Sequence, residues 1–439
     1  MALITKAVRG TRDVLPDESF KMQHIEQTAL AIARDFGFRE MRTPVFEHTE
    51  LFQRSVGETT DVVQKEMYTF QDKGERSITL RPEGTAGMAR AFLEHGLNNG
   101  ILPVKISYLT SCYRYEKPQA GRLREFNQFG VECFGSAKPQ SDAEVISLAH
   151  LLLNELGVTG VSLQINSIGC PTCRSKYHKE LKSYFEARGG ELCETCHGRL
   201  ERNPMRILDC KSPICAGIAQ DAPVMLDFLC DECRLHYDSV KSFLDEAEIE
   251  YEQNPRIVRG LDYYTRTVFE FVSDALGAQA VVCGGGRYDG LIEELGGRPL
   301  PSLGFGMGLE RLLMVMEAKG AKFPEPPQCE VYLASMGQAA VKRCFAIVTN
   351  LRRGGVSAEC DTVGRSLKAQ MKYADKIGAR YTIVVGDNEL ETGIAALKDM
   401  QSGEESPIHL DDSLYTTLYN KLLDRQLANV ADLLGEAAE

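Results

Sequence analysis

The sequence predicts a larger N-terminal part that mixes helices with antiparallel strands, a cysteine-rich stretch inserted into it, and a C-terminal α/β domain. Three observations carry this reading. Residues 102–136 hold two alternating runs joined by a polar turn, the pattern of a long antiparallel hairpin. Eight of the 14 cysteines crowd between Cys170 and Cys233, where that periodicity breaks. Beyond the proline-dense linker AKFPEPPQC (321–329), strands and helices take turns, which favours a largely parallel sheet. With 439 residues and 43% hydrophobic content, the chain can bury two or three cores of ordinary size.

Along the chain, residues 18–35 form an amphipathic helix, with Gly37 where a helix commonly stops. REMRTPVFEHTELF gives a short strand, Pro44 and a second helical stretch. In the hairpin, Val104, Ile106 and Tyr108 sit at period two, EKPQAGR makes the turn, and the return strand spans Arg124 to Phe134. A helix at 141–156 and a strand at Val161–Ile165 precede the cysteine-rich stretch, which runs from 170 to about 235. Strands return at TVFEFV (267–272) and AVVCGG, and a helix covers Leu309–Lys319. In the C-terminal part EVYLAS, GVSAEC and RYTIVVG are strands, separated by a helix to Leu351 and another over Lys368–Lys376.

The net charge of −12 argues weakly against nucleic acid as a partner, but a local basic face is enough to bind phosphates. The N-terminal MALITKAVRGTRDVLPDES lacks the apolar run of a signal peptide, and no stretch approaches the roughly 20 apolar residues of a membrane-spanning helix. A soluble cytoplasmic protein with no membrane partner is therefore expected. In that setting, clustered cysteines point to metal binding or reduced thiols rather than to disulfides. GxxxxGK[ST] is missing, and GFGMGLER (304–311) has neither the spacing nor the βαβ setting of a dinucleotide fingerprint. The HIGH and KMSKS signatures of class I synthetases are also missing.

The return strand carries the first chemistry. Phe126, Gln128, Gly130 and Glu132 share one face, while Asn127, Phe129, Val131 and Cys133 share the other, which suits a core. A glycine at the centre of a strand permits close approach by a ligand. Arg114 lies on the first hairpin strand, Arg122 and Arg124 lie in or near the loop, and Arg259, Arg287 and Arg311 sit in RGLDYY, GGRYDG and GLER. Arginine is favoured for bidentate contacts to phosphate or carboxylate, although any single arginine is more often a surface residue. RPEGT (81–85) puts a carboxylate and a hydroxyl at a helix entry, where Thr85 can cap the helix.

These blocks resemble the histidyl-tRNA synthetases. FREMRTPVFEHTELFQRSVGETTDVVQKEMYTF looks like motif 1, with Pro44 as its proline; YRYEKPQAGRLREFNQFGVE resembles motif 2, and GFGMGLERL motif 3. RGLDYYTRTVFE (259–270) and GGGRYDGL (284–291) are similar to the two histidine-specific signatures. The resemblance implies an α+β class II catalytic core over 1–325, an antiparallel six-stranded sheet flanked by helices, with the inserted domain at about 170–250. It also implies an anticodon-binding α/β domain over 328–430, and a homodimer with motif 1 at its interface.

The resemblance carries roles onto matching positions. Glu83, Gly84, Thr85 and Gln128 fall in the set that holds the histidine amino end; Glu132 and Tyr264, with Tyr263 beside them, match the positions that read the imidazole. Arg259 and Arg114 match residues at the substrate carboxylate and the ATP α-phosphate. Glu116 and Phe126 match adenine contacts, Arg311 the motif 3 arginine, and Arg122 is placed toward the terminal phosphates. Gln119 lies in the loop expected to meet the extra 5′ guanosine of histidine tRNA. The substrates implied are L-histidine, ATP with Mg²⁺, and histidine tRNA through its acceptor stem and anticodon. One departure is the insertion, which carries Cys170, Cys173, Cys193, Cys196, Cys210, Cys215, Cys230 and Cys233. Its three CxxC pairs have the spacing of structural zinc sites, one or two of which are expected to rigidify it. The alternative is a synthetase-like regulatory subunit of ATP phosphoribosyltransferase, but such chains typically lack the C-terminal domain and erode the ATP motifs.

Overall fold

The structure, a computed structural model, describes residues 5–57, 60, 62–210, 212–275 and 281–436. Glu58, Thr59 and Asp61 of the motif 1 segment, Ala280 at the head of AVVCGG, and residues 1–4 lie outside the described residues. The chain divides into two compact units, Met1–Pro324 and Glu325–Glu439, with the boundary inside the proline-dense segment.

The first helix, Pro16–Asp35, opens on a proline whose missing N–H costs nothing there, with Asp17 and Glu18 at the positive end of its dipole. Met22, Ile25, Ala29, Ile32 and Ala33, three or four apart, form its buried stripe. Gly37 ends the turn at a φ of +80°, in the left-handed region where glycine is unstrained.

The large sheet of this unit has eight strands, in the order Arg39–Glu40, Val104–Tyr113, Glu125–Phe134, Ser302–Gly308, Val281–Arg287, Thr265–Ser273, Val161–Ser167, Glu252–Gln253. The six long strands are antiparallel to one another. Two-residue strands pair in parallel at both edges, which brings the count to eight rather than the six expected. On one face Phe129, Val131, Cys133, Phe269, Phe271, Phe305 and Met307 pack into a core with the helices Pro16–Asp35, Pro139–Glu155 and Leu309–Ala318. The alternation read in the return strand therefore places its apolar face as expected. A separate three-stranded sheet joins Phe46–His48, Ser77–Leu80 and Tyr68–Gln71.

Between Val161–Ser167 and Glu252–Gln253 the cysteine-rich insertion is helical: Pro171–Glu186, Glu194–Arg202, Pro213–Gln220 and Asp231–Glu246. Tyr177, Leu181, Phe185, Leu200, Ile207 and Met225 are buried within it. In the C-terminal unit the strands run Ala358–Cys360, Val331–Ser335, Tyr381–Val385, Ile394–Asp399, Glu405–His409. The first three are parallel, as alternation with helices requires; the last two are antiparallel, the first of them reached through the short helix Asp387–Thr392 and the second through a tight turn, so the sheet is mixed.

Arg287 departs from the reading that grouped it with ligand-binding arginines. Its side chain is fully buried and forks onto Asp142, with Nε at 3.0 and 2.9 Å and a terminal nitrogen at 2.6 Å. It also donates to the carbonyls of Ser136 and Lys138, so it ties the sheet to the start of the helix Pro139–Glu155. Burial opposes ionisation of Asp142, but the charge of Arg287, with the His236 ring 3.3 Å away, outweighs it and holds the carboxyl below its ordinary value. Asp142 therefore adds stability above the ordinary aspartate range near about 4, and that stability is lost as pH falls through the lowered value. Arg287→Ala should destabilise the catalytic unit by about 3–5 kcal/mol, because it strands a buried carboxylate. Denaturant unfolding checks this, and a loss under about 1 kcal/mol would rule out the tie.

Candidate active site

The second face of the large sheet has a floor of glycines. Tyr108, Gly130, Gly306, Gly284 and Glu270 stand opposite one another across five adjacent strands. Three neighbouring strands thus present no side chain at their centre, and large groups lean into the space. A methyl on Gly130 would overlap the Tyr108 ring, one on Gly306 would meet the Gln128 amide, and one on Gly284 would meet the Arg259 guanidinium. The face of the return strand that mixes amide, glycine and carboxylate therefore does line a cleft.

One end of this trough is sealed and acidic. Glu132 is fully buried and takes hydrogen bonds from the hydroxyls of Tyr108, at 3.1 Å, and of Tyr288. Burial drives its carboxyl well above the usual range, and the nearby Glu83 adds to the rise. Tyr263, Tyr264 and Tyr288 form an aromatic triangle with centroids 4.7, 5.3 and 6.1 Å apart. Glu83 accepts the backbone N–H groups of Thr85 (2.7 Å) and Ala86 (2.8 Å) at the start of the helix Thr85–Glu94. The helix cap expected of Thr85 is therefore supplied by Glu83, and desolvation still raises that carboxyl despite both bonds. Gln128 accepts the N–H of Gly84 at 3.1 Å.

The open end is a cleft lined by Arg114, Glu116, Arg122, Phe126, Gln128, Arg259, Glu310 and Arg311 over Gly284, Gly306 and Gly308. Arg114 donates to the Pro82 carbonyl at 2.8 Å and lies 5.4 Å from the Phe126 ring centroid; Arg122 lies 3.2 Å from Glu116. Arg311 donates to the carbonyls of Val281 (2.6 Å) and Gly121 (3.2 Å). Burial, and then the charges of Arg122 and Arg114, hold the Arg311 guanidinium below its ordinary value, although Glu116 opposes them. An anion entering between these cations would relieve that crowding. Arg259 pairs with Glu270, while its Nε is buried with no acceptor among the described residues. Burial disfavours its charge, but Glu270 and then Tyr264 outweigh burial and raise it.

The structure thus gathers Arg114, Glu116, Arg122, Phe126, Gln128, Arg259 and Arg311 in one cleft, with Glu83, Gly84, Thr85, Glu132, Tyr263 and Tyr264 at its buried end. Gln119 stands apart, exposed in the hairpin turn, where its backbone pairs with that of Arg122. Tyr108, Tyr288, Glu270 and Glu310 were not singled out from the sequence. Glu310 accepts the backbone N–H and side-chain amide of Asn127 at 2.9–3.0 Å, which pins the return strand. Tyr288 and Glu310 both lie in blocks already quoted, beside the arginines that drew attention. Tyr108 carried only the apolar alternation, so nothing in the sequence set it apart.

The insertion's cysteines form two sets of four: Cys170, Cys173, Cys230 and Cys233, and Cys193, Cys196, Cys210 and Cys215. In each set all sulfurs lie within 4.8 Å of one another. Cys170 and Cys173 are 3.6 Å apart, Cys193 and Cys210 3.8 Å. Four thiolates about 2.3 Å from a tetrahedral zinc sit about 3.8 Å from one another, so either set could hold a metal ion. Backbone N–H groups of Cys230 and Cys193 donate to Cys173 and Cys215 sulfurs at 3.1 and 3.2 Å.

Among solved structures, apo histidyl-tRNA synthetase of S. aureus matches with a TM-score of 0.81 at 38% identity, covering 94% of this chain and all of that one. A Bacillus halodurans protein described as an ATP phosphoribosyltransferase regulatory subunit/histidyl-tRNA synthetase shares the fold, with a TM-score of 0.64 at 21% identity over 88% of this chain and 99% of its own. Fold and cleft together define the class II synthetase type of catalytic domain. A family profile described as histidyl-tRNA synthetase matches residues 10–171 and 229–312, passing over most of the insertion, and an anticodon binding domain profile matches 330–416. A histidine–tRNA ligase of Acetivibrio thermocellus is 54% identical over 409 residues, 93% of this chain and 98% of that one. The chain belongs to the histidyl-tRNA synthetase family.

Proposed function

We propose that the chain is a histidine–tRNA ligase that forms histidyl-adenylate from L-histidine and ATP, then transfers histidine to the 3′ end of histidine tRNA. The observation that carries this is the joining of an arginine-lined cleft to a buried carboxylate–tyrosine pocket through one glycine trough. ATP, with Mg²⁺ on its leaving phosphates, lies in the cleft. Glu116 and Phe126 meet the adenine, Arg311 covers the nucleotide, Arg122 reaches the terminal phosphates and Arg114 the α-phosphate. Glu83, Thr85 and Gln128, with the Gly84 backbone, take the amino group of histidine. Glu132 and Tyr264, with Tyr263 beside them, read the imidazole. A ring N–H reaching Glu132 restores the ionised carboxylate that burial disfavours, and a side chain without that donor leaves it unpaired.

The histidine carboxylate attacks the α-phosphorus and pyrophosphate leaves. Arg259, oriented by Glu270 with its Nε still open, neutralises charge between the carboxylate and the α-phosphate. The terminal hydroxyl of the tRNA then attacks the adenylate carbonyl and AMP departs. Gln119, exposed on the hairpin turn, is placed for the extra 5′ guanosine, the insertion for the acceptor stem and the C-terminal domain for the anticodon. The anticodon-domain match and the four cleft arginines favour this reading over a regulatory subunit. The setting is cytoplasmic; no helix among the described residues is long and apolar enough to cross a membrane.

Histidine-dependent exchange of labelled pyrophosphate into ATP is expected with histidine alone among the amino acids, and Arg259→Ala should reduce it on the order of 100-fold. Histidine binding without exchange would turn the assignment to the regulatory subunit. The working unit is a homodimer through the motif 1 region, supported by Val45, Phe46 and Phe70, which stand 40, 56 and 47% exposed around the small sheet. Sedimentation equilibrium should give twice the chain mass, and a monomer at micromolar concentration would reject it. Both cysteine sets hold structural zinc, whose role is to cross-link the insertion's helices. Metal analysis of protein purified without chelator should find about two zinc ions per chain, as four thiolates close each site; less than a tenth of an equivalent would exclude zinc.

A further inference from the structure

The segment 254–264 carries Arg259, Tyr263 and Tyr264, yet it contains neither helix nor strand. With no ladder of its own, its backbone must be held from outside. Five side-chain ties join it or its immediate continuation to the insertion, one from the loop and four from the insertion. Arg256 donates to the carbonyl of Ala222 at 3.0 Å and to that of Gln220. Arg206 donates to the carbonyl of Gly260 at 2.5 Å and lies 3.6 Å from the Asp262 carboxylate. Asn203 donates to that same carboxylate at 3.3 Å. Arg174 donates to the carbonyl of Tyr264 itself at 3.0 Å. Just beyond, Glu232 accepts from Arg266 at 2.5 Å.

The holding residues follow the cysteines. Arg174 comes directly after Cys173, and Glu232 lies between Cys230 and Cys233. Asn203 and Arg206 lie in the span between Cys196 and Cys210, and Arg199 braces Arg206 by donating to its carbonyl at 3.1 Å. The two residues that grip the C-terminal end of the loop and its continuation thus neighbour one cysteine set in sequence, and the two that grip its middle lie within the span of the other.

We propose that the insertion is a clamp on the histidine-reading loop. Its two metal-bound cysteine sets hold Arg174, Asn203 and Arg206 as positioning residues that fix Tyr264 and Arg259 for the amino acid. None of the three lines the arginine cleft. This rests on the assignment of the loop to histidine and of the cysteine sets to zinc. The effect falls more on histidine than on ATP, because the adenine and terminal-phosphate contacts come from the hairpin and the helix Leu309–Ala318, and the loop reaches the nucleotide only through Arg259 at the α-phosphate. A displacement of about 1 Å at such a loop is enough to lower activity markedly, since the ring pocket is built from fixed hydroxyls.

The test is pyrophosphate exchange with KM measured separately for histidine and for ATP, on wild type, Arg174→Ala, Arg206→Ala and Arg206→Lys, with zinc measured on the same samples. Both alanine variants should keep their zinc and raise the KM for histidine about tenfold, the loss of one hydrogen bond from a charged donor. The KM for ATP should stay within about twofold, and Arg206→Lys should recover part of the loss. Wild-type protein stripped of zinc by chelator should show the same histidine-specific rise. An unchanged KM for histidine in both alanine variants, or an equal rise for ATP, overturns the clamp. Wild type that binds no zinc overturns the metal assignment instead, and the arginine variants still decide whether the clamp exists.

Discussion

Everything in the catalytic unit is arranged around the absence of side chains at Gly130, Gly306 and Gly284. Three aligned glycines in adjacent strands give up packing and backbone entropy, and in return the sheet admits an aromatic ring, an amide and a guanidinium at van der Waals distance from its backbone. Each of these groups would be displaced by a single methyl. The opposite face of the same strands carries the dense apolar core, so the sheet stays rigid while one side of it is hollow.

Charge within this frame is governed by the supply of partners. Arg287 and Arg259 both lie on or over the sheet; the first is fully buried and the second half-buried. Arg287 is enclosed by Asp142, Asp289 and backbone carbonyls, so its donors are spent inside the protein. Arg259 has one carboxylate, Glu270, and a buried Nε with no acceptor among the described residues. The first arrangement makes a structural tie. The second leaves a directed donor beside a cleft where Arg114, Arg122 and Arg311 already crowd positive charge. Glu132 is the mirror case: a fully buried acid that takes hydrogen bonds from two hydroxyl donors, Tyr108 and Tyr288.

The insertion adds a third principle. A loop without secondary structure can hold side chains precisely enough for recognition only if its carbonyls are bound by something stiffer. Here part of that role falls to the insertion: Arg174, in the helix that begins after Cys170, binds the Tyr264 carbonyl, and Arg206, in the short helical turn Pro204–Ile207, binds that of Gly260. The family profile passes over residues 172–228, so the bracing of this loop lies largely outside what the profile describes.

Part of the secondary structure was legible in the sequence, because alternation and helical periodicity are local consequences of burial on one face. The hairpin from Val104 to Phe134 and the helices around 18–35 and 309–319 follow from such patterns, while the linker was read from its proline density. Of the two short parallel edge strands, Arg39–Glu40 falls in the short strand read ahead of Pro44, whereas Glu252–Gln253 was not legible, since two residues carry no period. Among site residues, arginines and the Glu132 strand face stood out by type and neighbours. Tyr108 read as core, and Arg287 read as a ligand contact, because residue type says nothing of which partner is in reach. The sequence by itself determined the strands, the glycines and the CxxC spacing, which are properties of neighbours along the chain. Only the tertiary structure decided that Gly130, Gly284 and Gly306 align, that Cys170 and Cys173 pair with Cys230 and Cys233, and that Arg174 reaches Tyr264. Those are contacts between residues far apart in sequence, fixed by strand register and helix packing rather than by any local preference.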